Sequence, residues 1–167
     1  GLNANYAITD SISATAGLWS SNVDNVTANG GVELDYVLGV SGTMDMFSWN
    51  AGYTFFSYPG TQDTTAQAPD FQEVSVGAAY DFGMLSVGAS YAYSPDFLLQ
   101  SGAGHYINGK ITVPLKYVDL SASMGKQYVE KNAVVGFADY RDYKLAASMT
   151  VYGLGVELAY IDTSLNS

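Results

Sequence analysis

The sequence predicts an all-β protein, a transmembrane antiparallel up-and-down β-barrel with about ten strands in this chain. Three observations carry that expectation. Apolar and small polar residues alternate with period two along nearly the whole chain. The connections between these stretches alternate between short and long. Charged residues make up only 13% of the chain, against roughly 25% in an ordinary soluble domain.

The alternation is clearest in Val32, Leu34, Tyr36, Leu38 and Val40, which oppose Glu33, Asp35 and Gly39. Phe47, Trp49, Ala51, Tyr53 and Phe55 oppose Ser48, Asn50, Gly52 and Thr54. The same division recurs around Val74–Tyr80, Leu85–Tyr93, Val118–Met124 and Leu154–Tyr160, and more weakly at 2–8, 12–19, 107–115 and 143–150. Many of these stretches approach the roughly 9–11 residues that a tilted strand needs to cross a bilayer. No apolar run nears the roughly 20 residues of a spanning helix, and a closed barrel is the β structure that satisfies its backbone in lipid.

Short connections fall at Asp10-Ser11, 41–45, 81–83, 115–116 and 151–153. Long ones cover 21–31, 57–70, 94–104 and 127–139. A soluble sandwich has no reason to sort loop length by parity, whereas outer-membrane barrels have short periplasmic turns and long extracellular loops. The length of 167 residues suits one domain, 1–167.

Residue size assigns the two faces. One carries Val, Leu, Ile, Met and Tyr and is expected to meet lipid; the other carries Ser, Gly, Ala, Thr and Asn with a few charges. Aromatics make up 14% of the chain and gather near strand ends. Trp19, Phe55, Tyr58, Tyr80, Tyr93, Tyr128, Tyr152 and Tyr160 are expected to form interfacial girdles. Phe56, Tyr91, Phe97, Tyr106 and Tyr143 fall in the same zones. By parity, Glu33, Asp35, Glu73, Lys110, Asp119, Lys144 and Glu157 face the interior and would line a net acidic pore, which favours cations. The alternative pairs these charges across strands so that they fill the interior.

Chemistry of other kinds is sparse. Cys is absent, so no disulfide or thiolate site arises. The single histidine, His105, has Ser94 and Ser101 nearby in sequence, but a hydrolytic triad is a matter of geometry, and an isolated loop histidine is the simpler expectation. Asn22, Asp24 and Asn25, or Asp63 and Asp70, lack the dense acidic spacing of a calcium site. No metal, cofactor or catalysis is expected. A net charge of −10 argues against nucleic acid as a partner and leaves outer-membrane lipid and lipopolysaccharide as surroundings.

Several ordered segments resemble one family. They are Ala16-Gly17-Leu18-Trp19-Ser20-Ser21-Asn22-Val23-Asp24, Val32-Glu33-Leu34-Asp35-Tyr36 and the stretch from Ala51 to Gly60. Further along come Asp70-Phe71-Gln72-Glu73-Val74, Ser90 to Phe97, Asp139 to Leu145 and Tyr160-Ile161-Asp162-Thr163. In order and spacing this set is similar to the TorF-family porins, small outer-membrane proteins of Gram-negative bacteria. The resemblance implies passage of small solutes across the outer membrane. It also implies one strand before Gly1 and one after Ser167, hence about twelve strands in the complete protein. The competing expectation is a non-conducting barrel that acts through its long loops on an envelope protein or on further copies of itself. A lipid-directed barrel enzyme and a soluble sandwich are the remaining alternatives.

Overall fold

The structure, a computed structural model, describes residues 1–23, 31–59, 69–136 and 138–165. Ten strands follow one another: β1 (Leu2–Ala7), β2 (Ile12–Val23), β3 (Gly31–Met44), β4 (Phe47–Ser57), β5 (Phe71–Asp81), β6 (Ser86–Ser94), β7 (Gly104–Pro114), β8 (Asp119–Val129), β9 (Tyr140–Val151) and β10 (Leu154–Thr163). Each is hydrogen-bonded to its sequence neighbours in one antiparallel sheet ordered β1 to β10. The all-β, up-and-down architecture is therefore as the alternation predicts. Among the described residues β1 and β10 do not pair with each other.

Cross-strand partners in an antiparallel pair share a face, so the register assigns every side chain. Asp35 lies opposite Phe56, and Phe56 opposite Phe71. Ser75, Ala92, Tyr106, Gln127 and Tyr140 continue the same face from β5 to β9. We call this the inner face, because the loop residue Tyr58 is buried against it at Glu33. The outer face carries Leu38, Val76, Met124 and Leu158, which are 60%, 55%, 55% and 79% exposed. Small inner residues such as Ser75, Gly77 and Ala79 are less exposed than the larger Val74 and Val76 beside them. That inversion is what the concave side of a curled sheet produces. A water-soluble sheet would bury its large apolar side chains instead.

The turns at one end are tight. Tyr152 and Gly153 both adopt left-handed backbone, at φ 49° and 83°, the pair of conformations a two-residue hairpin turn requires. The 41–45 stretch, expected as a turn, is strand up to Met44, and only Asp45 and Met46 reverse the chain. The reason is local: Trp49 lies across from Gly42 with its ring where a Cβ would stand, so the Ser-Gly-Thr segment pairs as strand beneath an aromatic cover. At the other end, the β6–β7 connection holds a short 3₁₀ turn at Leu98–Gln100, and the β8–β9 connection holds α1 (Asn132–Val135). No helix among the described residues is long and apolar enough to cross a membrane, which says nothing about crossing by strands.

Candidate functional site: the inner face and its two rims

All seven charged side chains expected at the interior stand on the inner face by register. They do not form a ring. Glu33, Asp35 and Glu73 sit on β3 and β5 toward the long-loop end, whereas Lys110 and Lys144 flank Ser123 in one row across β7, β8 and β9. Asp119 and Glu157 flank Ser148 in a row nearer the short turns. Lys144 Nζ meets Glu157 Oε1 at 2.6 Å, so part of the charge is neutralised within the wall.

Parity reading missed several inner residues. Asp142 accepts the Tyr106 hydroxyl at 3.1 and 3.0 Å, and Asn108 donates to the same hydroxyl at 3.3 Å. Tyr106 and Asp142 belong to β7 and β9 and reach each other over Gly125 of the intervening β8, where any Cβ would collide with both. The same device recurs where Asn50 covers Gly77. Thr15 also donates to Asn5 at 2.7 Å. The signal that could have located these pairs is a glycine flanked by cross-strand polar partners, readable only once register is known.

The aromatic expectations divide. Phe55, Tyr80, Tyr93, Tyr128 and Tyr160 stand on the outer face, as do Tyr91 and Tyr143, and Tyr152 is fully exposed at the tip of a short turn. Trp19 does not join them. It lies opposite Asp35 and so stands on the inner face, because the odd positions of β2 are Ser13, Thr15, Gly17 and Trp19. Phe56 and Tyr106 are inner for the same reason of parity.

Tyr58 is likewise no girdle residue. Just past the end of β4, it is 5% exposed, donates its hydroxyl to Glu33 Oε2 at 2.5 Å, and donates its backbone N–H to Asp70 Oδ1 at 2.8 Å. Burial first, then the bond to Glu33 and the fields of Glu33, Asp35 and Asp70, push its phenol pKa upward. It remains a donor and ties the long-loop rim to the inner wall.

That rim is partly covered. Phe56 stacks on Phe71 with ring centroids 4.3 Å apart, and the loop residue Phe97 packs on Phe71 at 4.9 Å and over Gly104. Two of the long connections bond to each other: Glu130 N–H to Ala103 O at 2.9 Å, Lys131 N–H to Ser101 O at 3.0 Å, and Ala103 N–H to the Glu130 carboxylate at 3.0 Å. Ser94 and Ser101 are fully enclosed.

His105 stands on the outer face beside Tyr93, and its Nδ1 is 2.7 Å from the Tyr91 hydroxyl. Ser94 points to the opposite face, opposite Gly104, so these two are not brought together. Asn22 is the second-last residue of β2, while Asp24, Asn25 and Asp63 lie outside the described residues. Asp70 is engaged with the Tyr58 backbone.

Residues 6–167 match the family described as "Bacterial protein of unknown function (Gcw_chp)". The chain belongs to that family. No curated protein matches. Among solved structures, it is similar to one titled "Structure of porin refined at 1.8 angstroms resolution", with 16% identity and a TM-score of 0.62. The match covers 98% of this chain and 56% of the porin, so the chain spans about half that protein's length. At this identity the likeness shows the fold: this member of the family has a porin-like antiparallel sheet.

Proposed function

We propose that this chain forms the wall of a bacterial outer-membrane β-barrel that admits small solutes by passive diffusion with a weak preference for cations, in the manner of the TorF-family porins it resembles. The observation that carries the proposal is the division of charge between faces. The inner face of the strands holds Glu33, Asp35, Glu73, Asp81, Asp119, Asp142 and Glu157 against Lys110 and Lys144, while the outer face is apolar except at one rim. Lipid-facing surfaces need the second arrangement, and a water-filled lumen tolerates the first. Along β4 the outer aromatics Phe47 and Phe55 are separated by about 26 Å at ~3.3 Å per residue. With a strand tilt of ~40°, that becomes about 20 Å of height, close to the apolar band of such barrels. Closure of the sheet into a ring belongs to the proposal.

The test is conductance of the full-length chain in a planar bilayer. Stepwise currents with cation over anion selectivity are expected, falling toward unity when Glu33→Gln and Asp35→Asn are combined. A silent bilayer would sink the channel. The bonded pair of long connections favours the second reading, a non-conducting barrel that presents this rim to an envelope partner or a second copy; a silent bilayer is its expected result. Neither reading assigns the protein catalysis, a cofactor or a metal.

A further inference from the structure

Among the described strand residues of the outer face only three carry full charges: Lys126, Arg141 and Asp162. The two cations are direct cross-strand partners in β8 and β9. Like charges placed opposite each other repel, so this register is unfavourable unless an anion sits between them. Among the described residues no carboxylate forms an ion pair with either, and Asp139, two residues before Arg141, accepts the Val129 N–H instead. Asp162 lies opposite Tyr143, and its carboxylate accepts the Tyr160 hydroxyl at 3.5 Å and the Thr163 N–H at 2.9 Å. Lys126 rests instead over the Tyr128 ring, 4.2 Å from its centroid, and Arg141 is exposed. The chain has six Lys and Arg residues against sixteen acids, and two of the six converge here.

The position is as specific as the charge. Lys126 is three residues from the long-loop end of β8, and Arg141 is the second residue of β9. Tyr128 and Tyr143 flank them on the same face, with His105 opposite Tyr128. Amphipathic rings at this height mark the headgroup level of a membrane. We propose that Lys126 and Arg141 form a docking site for the phosphate of an anionic lipid headgroup, in the leaflet that meets the long-loop ends. The inference rests on the membrane reading above and adds the lipid chemistry and its residues.

The test reconstitutes the full-length chain in vesicles of equal phosphatidylcholine and phosphatidylglycerol. Lipids retained after gentle detergent extraction are counted by native mass spectrometry, and heat-dependent gel mobility reports insertion. Enrichment of phosphatidylglycerol is expected. Lys126→Gln with Arg141→Gln should reduce it by roughly ten- to thirtyfold, the scale of two basic residues at an anionic surface. Lys126→Arg with Arg141→Lys should retain it. Lys116→Gln with Lys131→Gln, which removes the same charge elsewhere, should also retain it. Unchanged enrichment in the first double variant, equal loss in the last, or displacement by inorganic phosphate alone would each overturn the lipid site while leaving an inserted barrel intact. A chain that does not insert overturns the membrane reading and this site with it.

Discussion

At the scale of single residues, Gly125 illustrates how the inner wall is held. It leaves the gap through which the Tyr106 hydroxyl reaches Asp142 two strands away. Gly125→Ala puts a methyl group where both polar atoms stand, so one hydrogen bond to a charged group is lost or bent. We expect a loss of about 1.5 kcal/mol in unfolding free energy by urea titration of the refolded protein. Gly155→Ala, where a Cβ meets nothing within 4 Å, should leave stability within about 0.5 kcal/mol. These contacts were not legible in the sequence. Tyr106, like Trp19 and Phe56, reads as an interfacial aromatic because β propensity and strand-end position are all that a sequence displays. The partner that draws each ring inward is distant in the chain. For Tyr58, the partner Glu33 is 25 residues away.

At the scale of elements, alternation made the strands legible wherever one face was large and the other small, as in β3, β4, β5 and β8. It is weakest in β2, whose central residues Ala14, Ala16 and Gly17 barely distinguish two faces, so nothing local places Trp19 on the inner one. Ser41-Gly42-Thr43 carries a turn signal yet pairs as strand, since glycine marks both turns and the strand sites that an aromatic covers. In the β9–β10 hairpin the Lys144–Glu157 pair is short, but its side chains are 36% and 47% exposed. Solvent screening then limits its worth. A double-mutant cycle on Lys144→Ala and Glu157→Ala should give a coupling below about 1 kcal/mol. A coupling of several kcal/mol would show a dry interior in place of a wet one.

At the scale of the whole molecule, the two faces make opposite demands. Val76 is a mid-strand outer residue on β5, and Ser90 is an inner residue on β6. In lipid vesicles Val76→Arg should destabilise the folded barrel by about 2–4 kcal/mol, while Ser90→Arg should be nearly neutral. The reverse order in a denaturant titration would mean that the apolar face is not the one in lipid. Both the architecture and the division of each strand into a large apolar and a small polar face were legible from residue size and loop parity. The polarised layout of inner charge was not, because it depends on which strands sit side by side at which height. The strictly sequential strand order has a kinetic consequence as well. Every strand after β1 finds a partner in the strand synthesised immediately before it, so the sheet can zip together one hairpin at a time. Loop closure of this kind grows costlier only logarithmically with loop length, by about 0.6 kcal/mol per doubling. The long connections at one rim are therefore free to vary in length and content with little effect on how fast the wall assembles.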